Sequence, residues 1–144
     1  MITGRLIHPA LLSALASAGH GARILIADAL YPHTTGVAAT ASRVHLNLRA
    51  GMVPAVDVLE AVAETVPLEA ATYMRTAEGG TSQPVREFQQ LLASYQHDGG
   101  AAVSWSSLER MSFYDACREP DVCLLVATGE VRPYSNLLLT VGVP

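Results

Sequence analysis

The sequence predicts an α/β protein of three layers, with a central mixed, mostly parallel sheet of about six strands flanked by helices. Two observations predict this class. Short apolar runs bounded by glycine, proline or aspartate alternate along the chain with stretches whose apolar residues recur at helical spacing. The 144 residues, half of them hydrophobic, provide enough apolar side chains for the core of a single domain spanning 1–144.

Each element of the N-terminal half has a local signal. The first helix begins at a proline, carries leucines at helical spacing, and is followed by Gly19, which can end it in the left-handed conformation. The first strand is an apolar run, and the second alternates apolar and polar residues. The second helix has one apolar face, and a short strand follows it. The predicted elements are a helix at 9–18, strands at 23–27 and 44–48, a helix at 54–66 and a strand at 70–75.

The C-terminal half continues the alternation. Thr81 or Ser82 can cap the third helix, and Ser106 followed by Glu109 forms a capping box for the fourth. A turn at 98–100 separates the third helix from the next strand, and the strand after the fourth helix is the most apolar of the chain. The predicted elements are a helix ending at about Gln96, a strand at 101–105, a helix ending at about Arg118, and strands at 122–127 and 136–141.

The composition excludes several classes of function. A net charge of −4 without a basic cluster disfavours a nucleic-acid partner. No apolar run reaches the roughly 18 residues that span a membrane, and the N-terminus lacks a signal-peptide pattern, so we expect a cytoplasmic protein. The chain contains no lysine, which excludes Schiff-base chemistry and a lysine-bound pyridoxal cofactor. No metal-ligand spacing or phosphate-binding glycine loop is present in the sequence, so the motifs indicate neither a zinc site nor a nucleotide site.

Two polar residues flank the first predicted strand in the stretch AGHGARILIADA. His20 lies between two glycines that allow close approach of a ligand, and the preceding helix end favours its protonated ring. Asp28 follows the carboxyl end of the strand, the edge at which open α/β sheets bind ligands. The five-residue strand spans roughly 16 Å, so the two side chains share a site only if the chain folds back or a neighbouring subunit supplies one of them. A helix-end residue and a turn carboxylate are the purely structural alternatives.

Two further pairs combine groups that bind hydroxyls. Arg110 and Tyr114 are four residues apart and share one face of the fourth helix. Tyr134 and Asn136 are two residues apart, so they point the same way in an extended chain and suit a polyol ligand. The structural alternatives are a solvated arginine beside a packed tyrosine and an ordinary turn. His33, in the loop after the first strand, is a candidate for the rim of a pocket.

Three stretches, AGHGARILIADALYP, ERMSFYDA and ATGEVRPYSNLLLTVGV, together resemble the D-ribose pyranase / L-fucose mutarotase family. The resemblance runs in the same order over nearly the whole chain. It implies a small α/β protein that interconverts forms of a free sugar without cofactor or metal: ring sizes in the pyranase members, α and β anomers in the fucose members. It also implies a homo-oligomer, commonly a decamer of two pentameric rings, with the pocket at a subunit interface. Only 15% of the residues are charged, which fits a surface covered by other chains.

The resemblance gives each candidate residue a role and favours one branch of the family. The Arg-x-x-Phe-Tyr pattern resembles the fucose branch, because the ribose branch carries a histidine and a lysine at the corresponding places. The resemblance implies that His20 is the catalytic histidine and Asp28 a sugar-binding aspartate, and that Tyr134 and Asn136 form the family's Tyr-x-Asn pair.

For the proton transfers we expect His20 together with Tyr134 or Tyr114 as the catalytic residues. Asp28, Arg110 and Asn136 are expected to bind the hydroxyls of the substrate.

Two departures from the family pattern keep other functions open. Ala22 stands where the family usually has an aspartate, and Leu30 where the fucose branch often has a histidine. The stretch RVHLNLRAGMVPAVDVLEAV is closer to the ribose branch. The prediction is therefore an L-fucose mutarotase that uses acid–base ring opening and closure. The alternatives are a D-ribose pyranase, a sugar-binding or transport-associated module that has lost acid–base function, and a purely structural ring-forming protein.

Overall fold

The computed structural model of the protein describes residues 1–95 and 101–144, which contain ten helices and strands. No helix within these two ranges is long and apolar enough to cross a membrane. The elements in chain order are α1 (Pro9–Ser17), β1 (Arg23–Ala27), β2 (Ser42–His45), α2 (Ala55–Thr65), β3 (Leu68–Met74), α3 (Gln83–Ser94), β4 (Ser104–Leu108), α4 (Arg110–Cys117), β5 (Val122–Ala127) and β6 (Leu137–Val141).

The six strands form one sheet in the order β2-β5-β1-β6-β3-β4. β6 is antiparallel to both of its neighbours, whereas the other three pairings are parallel. Five strands therefore end at the same edge of the sheet, where β6 begins. We call this the carboxyl edge. The mixed, mostly parallel sheet predicted from the sequence is confirmed.

Helices and a long loop cover the two faces of the sheet. Side chains alternate along β1, so Ile24 and Ile26 pack on one face and Leu25 on the other. The first face lies under α1, α2 and α3, which bury residues such as Phe88. The second lies under α4, through the fully buried Phe113, and under the loop at 31–41. The predicted three layers are therefore present.

The junction between β4 and α4 differs from the prediction. Ser106 does not cap the fourth helix, because parallel pairing with β3 extends β4 through Leu108 and places the Ser106 hydroxyl 2.8 Å from that of Thr72. The cap is Glu109, whose carboxylate accepts the backbone N–H groups of Met111 and Ser112 at 3.1 and 2.8 Å. A carboxylate that satisfies two free N–H groups replaces the serine as the helix cap.

Two other predictions need comment. Gly19 does not adopt the left-handed conformation; α1 ends with an extended Ala18, and it is Gly21 that has a positive φ, of 82°. The predicted helix end at Gln96 and the turn at 98–100 lie outside the described residues.

Gly129, directly after β5 and Thr128, sits where two chain segments touch. Its N–H donates to the Val53 carbonyl at 2.8 Å, and its own carbonyl accepts the N–H of Gly51 at 2.7 Å. A Cβ atom at this position would overlap the backbone carbonyl of Met52. The glycine is therefore required by contact with the backbone of the 49–53 segment.

Replacing Gly129 by alanine should lower the free energy of unfolding by about 3 kcal/mol, because backbone must move to admit the methyl group. Urea denaturation measures this loss. Gly19→Ala is the matched control, since its Cβ would meet nothing within 4 Å, and it should leave stability nearly unchanged. Equal stability of the two variants would contradict the close contact at Gly129.

Candidate functional site

Five of the six predicted site residues line one cavity of about 210 Å³ at the carboxyl edge. They come from three separate parts of the chain: the end of β1, the first turns of α4, and the segment before β6. The volume is below the roughly 300–1,000 Å³ of pockets that hold drug-sized ligands, so the cavity suits a small polar molecule. These five residues are Asp28, Arg110, Tyr114, Tyr134 and Asn136.

Asp28 and Asn136 form a reciprocal pair at the base of the cavity. The backbone N–H of Asp28 donates to Asn136 Oδ1 at 2.8 Å, and Asn136 Nδ2 donates to Asp28 Oδ2 at 3.1 Å. Both residues are buried, with 3% and 4% of their surface exposed. The backbone N–H of Asp28 can only donate, and its carboxylate accepts. These two groups therefore fix which end of the Asn136 amide is oxygen and which is nitrogen. One amide N–H of Asn136 is left over from this pair and can bind a ligand.

The remaining contacts of Asp28 determine its electrostatics. Its carboxylate accepts backbone N–H groups from Leu30 at 3.0 Å and from Ser135 at 3.4 Å. Burial raises the pKa of Asp28 above its ordinary value of 3.8, and these backbone hydrogen bonds and the nearby His33 offset only part of that effect. The carboxylate is thus held in place by several donors but lies in a poorly solvated position.

The opposite wall of the cavity carries the cation and one phenol. Arg110 is the first residue of α4, and its guanidinium carbon lies 5.7 Å from the centre of the Tyr114 ring. The polar contact with Tyr114 raises the pKa of Arg110, and Tyr134 adds to the effect. A guanidinium carries five N–H donors, so Arg110 can contact Tyr114 and still donate to another acceptor.

Tyr134 has an unusual backbone conformation. Its φ of 57° lies in the left-handed region, which only this residue among the described non-glycine residues adopts. For a tyrosine this conformation costs about 1–2 kcal/mol. Residues held in this way often belong to functional sites, and Tyr134 lines the cavity.

His20 lies at the other edge of the sheet and does not line the cavity. The N–H of the next residue, Gly21, donates to the Val141 carbonyl at 2.9 Å, which anchors His20 where β6 ends. Its ring lies 3.2 Å from the Glu69 carboxylate, and 59% of its side chain is exposed. The separation of His20 from Asp28 by the length of β1, predicted from the sequence, is thus present in the structure.

Sequence reasoning missed four other residues of the cavity lining. Three of them lie close in sequence to predicted site residues, and this closeness is the one signal that could have identified them: Leu30, Tyr31 and Pro133. Met74 ends β3, and no local pattern could place it here, because β3 reaches this region only through the pairing of β6 with both β1 and β3. His33, predicted for the rim of a pocket, is not part of the lining; its Nε2 lies 2.7 Å from the backbone oxygen of Asp28.

Comparisons with known sequences point to one family. The sequence profile described as the RbsD / FucU transport protein family matches residues 1–144. The fucose mutarotase of Homo sapiens is 31% identical, with 96% of this chain and 90% of the relative covered. The D-ribose pyranase of Symbiobacterium thermophilum is also 31% identical, over 96% of this chain and 95% of the relative.

Solved structures have the same fold. The structure of Bacillus subtilis RbsD complexed with D-ribose superposes with a TM-score of 0.82 at 23% identity, covering 100% of this chain and 99% of that one. The fucose mutarotase of Streptococcus pneumoniae in complex with L-fucose has a TM-score of 0.75 at 27% identity, covering 96% and 94%. The six-stranded α/β arrangement described above is therefore shared with these proteins.

The raised pKa of Asp28 predicts a pH-dependent stability. Between the ordinary value of 3.8 and the raised value, the folded state binds more protons than the unfolded state, so stability rises as pH falls through this window. The wild-type protein should therefore gain free energy of unfolding relative to Asp28→Asn as pH is lowered from neutrality toward 3.8. Denaturant titrations of both proteins at each pH measure this difference.

The matched control for loss of a negative charge is Asp115→Asn, at a side chain that is 78% exposed on α4. The difference in free energy of unfolding between the wild type and Asp28→Asn should grow as pH falls. A difference that stays constant, or that shrinks as pH falls, would contradict the raised pKa of Asp28.

Proposed function

This chain belongs to the RbsD / FucU transport protein family, and we propose that it is a mutarotase that interconverts the α and β anomers of free L-fucose without a cofactor or metal. The observation that carries the proposal is the convergence of five hydroxyl-binding and proton-handling side chains on one small cavity. Relatives named fucose mutarotase and D-ribose pyranase support a sugar isomerase of this class.

The cavity offers a complementary set of groups for a monosaccharide. Asp28 provides acceptors, Arg110 provides donors, and Asn136 has an amide N–H beyond the one used on Asp28. The rings of Tyr114 and Tyr31 pack edge to face with centroids 5.4 Å apart, which gives the cavity a firm apolar wall. Polar groups at the base and apolar groups at the wall match a sugar that has both hydroxyls and a methyl group.

Mutarotation requires two proton transfers and no net oxidation. A base removes the proton of the anomeric hydroxyl while an acid delivers a proton to the ring oxygen. The C1–O bond of the ring then breaks, the resulting aldehyde rotates, and the reverse steps close the ring on its other face. We assign these transfers to His20 and to the phenols of Tyr134 or Tyr114, with Asp28, Arg110 and Asn136 holding the hydroxyls in position.

The position of His20 requires a second chain for this mechanism. Within one chain β1 separates it from the cavity by roughly 16 Å. We propose that the protein is a homo-oligomer, a decamer of two pentameric rings, in which His20 of one copy completes the cavity of another. The carboxylate of Glu69, 3.2 Å from Nε2 of His20, can hold the imidazole in one orientation, which a residue that completes a site on another copy requires.

The closest competing function is a D-ribose pyranase, which exchanges ring sizes of a free sugar. The fucose mutarotase and the D-ribose pyranase compared above have the same 31% identity to this chain, so overall identity does not favour either sugar. Two side chains of the cavity wall favour fucose: Arg110 and Tyr114 stand where a histidine and a lysine are expected of the ribose branch.

Saturation-transfer NMR on L-fucose, D-ribose and related sugars tests the proposal. L-Fucose anomers should exchange faster with the protein than without it, and His20→Ala should slow the catalysed exchange by about 10²–10⁴-fold while leaving the oligomer intact. His45→Ala is the matched control for loss of a histidine. An unchanged exchange rate for every sugar would rule out the enzyme, whereas catalysis with D-ribose alone would favour the pyranase.

Complementation between inactive variants tests whether two chains share the site. His20→Ala and Arg110→Ala chains, each inactive by itself, should regain activity when they are co-expressed. If His20 and Arg110 of one site come from different chains, about a quarter of the sites in equal mixtures contain both intact residues. Exchange rates of the purified mixed oligomer measure this recovery. No recovery in oligomers shown to be mixed would place both residues of a site in one chain.

A further inference from the structure

We infer that Ser82, at the N-terminus of α3, is a positioning residue that holds Tyr134 in its left-handed conformation and so directs the phenol into the cavity. The inference deepens the proposed function and rests on it, because it concerns the geometry of one proposed proton-handling group. Ser82 itself does not line the cavity.

The hydroxyl of Ser82 makes two contacts with different consequences. It donates to the backbone carbonyl of Tyr134 at 2.8 Å, across 52 positions of sequence. It also accepts the N–H of Val85 at 3.4 Å and thereby caps α3. The first contact holds the peptide group that follows Tyr134, the residue with the positive φ. The second contact stabilises only the helix.

Helix α3 is a firm support for this contact. Phe88 is fully buried, Leu92 is 3% exposed, and both belong to the core beneath the sheet. A second bond from the same helix joins the same loop, because Glu87 pairs with Arg132 at 2.8 Å. Two contacts therefore attach the loop that carries Tyr134 to α3, one from Ser82 and one from Glu87.

Because its backbone is strained, Tyr134 needs a stabilising contact from another part of the chain to keep this conformation. A tyrosine with φ of 57° is less stable than one in the ordinary regions, so the residue relaxes when its restraints are removed. A change in φ redirects the Cα–Cβ bond, and with it the phenol. The N–H of the same peptide group, that of Ser135, donates to the Asp28 carboxylate at the longer distance of 3.4 Å, and the Ser135 hydroxyl donates to the Arg132 carbonyl at 2.6 Å. Ser82 is therefore the side chain that acts on the Tyr134 carbonyl itself.

Three substitutions separate positioning from helix capping. Ser82→Thr keeps both the donor and the acceptor. Ser82→Asp keeps an acceptor that caps α3 but has no proton to donate to the Tyr134 carbonyl. Ser82→Ala loses both. Ser94→Ala is the matched control, because it removes a hydroxyl from the other end of α3, where Ser94 donates to the Leu91 carbonyl within its own helix.

The measurements are kcat/KM for anomer exchange, the melting temperature, and 15N relaxation of the Tyr134 amide in the sugar-free protein. Ser82→Asp and Ser82→Ala should lose about three- to tenfold in kcat/KM, the weight of one neutral hydrogen bond, and should show a more mobile Tyr134. Ser82→Thr and Ser94→Ala should retain wild-type kcat/KM and an ordered Tyr134. Ser82→Ala, which loses the cap as well, should have the lowest melting temperature of the variants.

A purely structural role makes a different forecast. Activity would then follow the melting temperature, and Ser82→Asp would keep wild-type kcat/KM with an ordered Tyr134; that result would overturn the inference. If the wild-type protein catalyses no exchange, the proposed function fails, but the relaxation of Tyr134 in Ser82→Ala still decides whether Ser82 holds it. An unchanged Tyr134 amide in that variant would also overturn the inference.

Discussion

The reciprocal pair of hydrogen bonds between Asp28 and Asn136 joins the end of β1 to the start of β6, and the candidate site depends on it. β6 is the one strand of the described sheet that runs against its neighbours, so its first residues meet the last residues of β1 at the carboxyl edge. A carboxylate from one strand and an amide from the other satisfy each other at a buried point where unpaired polar groups would be costly. The pair both closes the core and leaves polar groups facing the cavity.

Contacts with α2 and α3 restrain the conformation of the segment between β5 and β6, which leads to the cavity. Gly129 touches the backbone before α2, and the buried Glu130 carboxylate follows it. Burial opposes ionisation of Glu130, but hydrogen bonds from Arg132 and from the backbone of Ala55 outweigh it, so the pKa of Glu130 lies below its usual value. A charged Glu130 is thus tied to the first turn of α2 and, through Arg132, to α3. The strained Tyr134 is supported by a loop that both helices restrain.

The sequence allowed most of the fold, and most of the cavity, to be predicted from local patterns. β1 and β5 are continuous apolar runs with polar ends, and both have the predicted bounds. The β4–α4 junction was wrong because strand pairing with β3 outweighed a local capping signal at Ser106. Of the five cavity residues, Asp28 follows from the end of a predicted strand, whereas the two other pairs were found by their spacing, and only the family resemblance joined all five in one site. The contact of Ser82 with Tyr134 has no local signal, because Ser82 has the sequence pattern of a helix cap and nothing else.

The rigidity of β1 constrains any mechanism that uses both His20 and Asp28, which lie beyond its two ends. Hydrogen bonds to β5 and β6 hold β1 along its whole length, and bonds between Val141 and the residues before β1 fix the His20 end. Rotation of the His20 side chain cannot close a gap of roughly 16 Å, and bending a central strand would break both of its pairings. A site that contains both His20 and Asp28 must therefore be built from two copies of the chain. The proposed catalysis and the proposed assembly thus depend on each other.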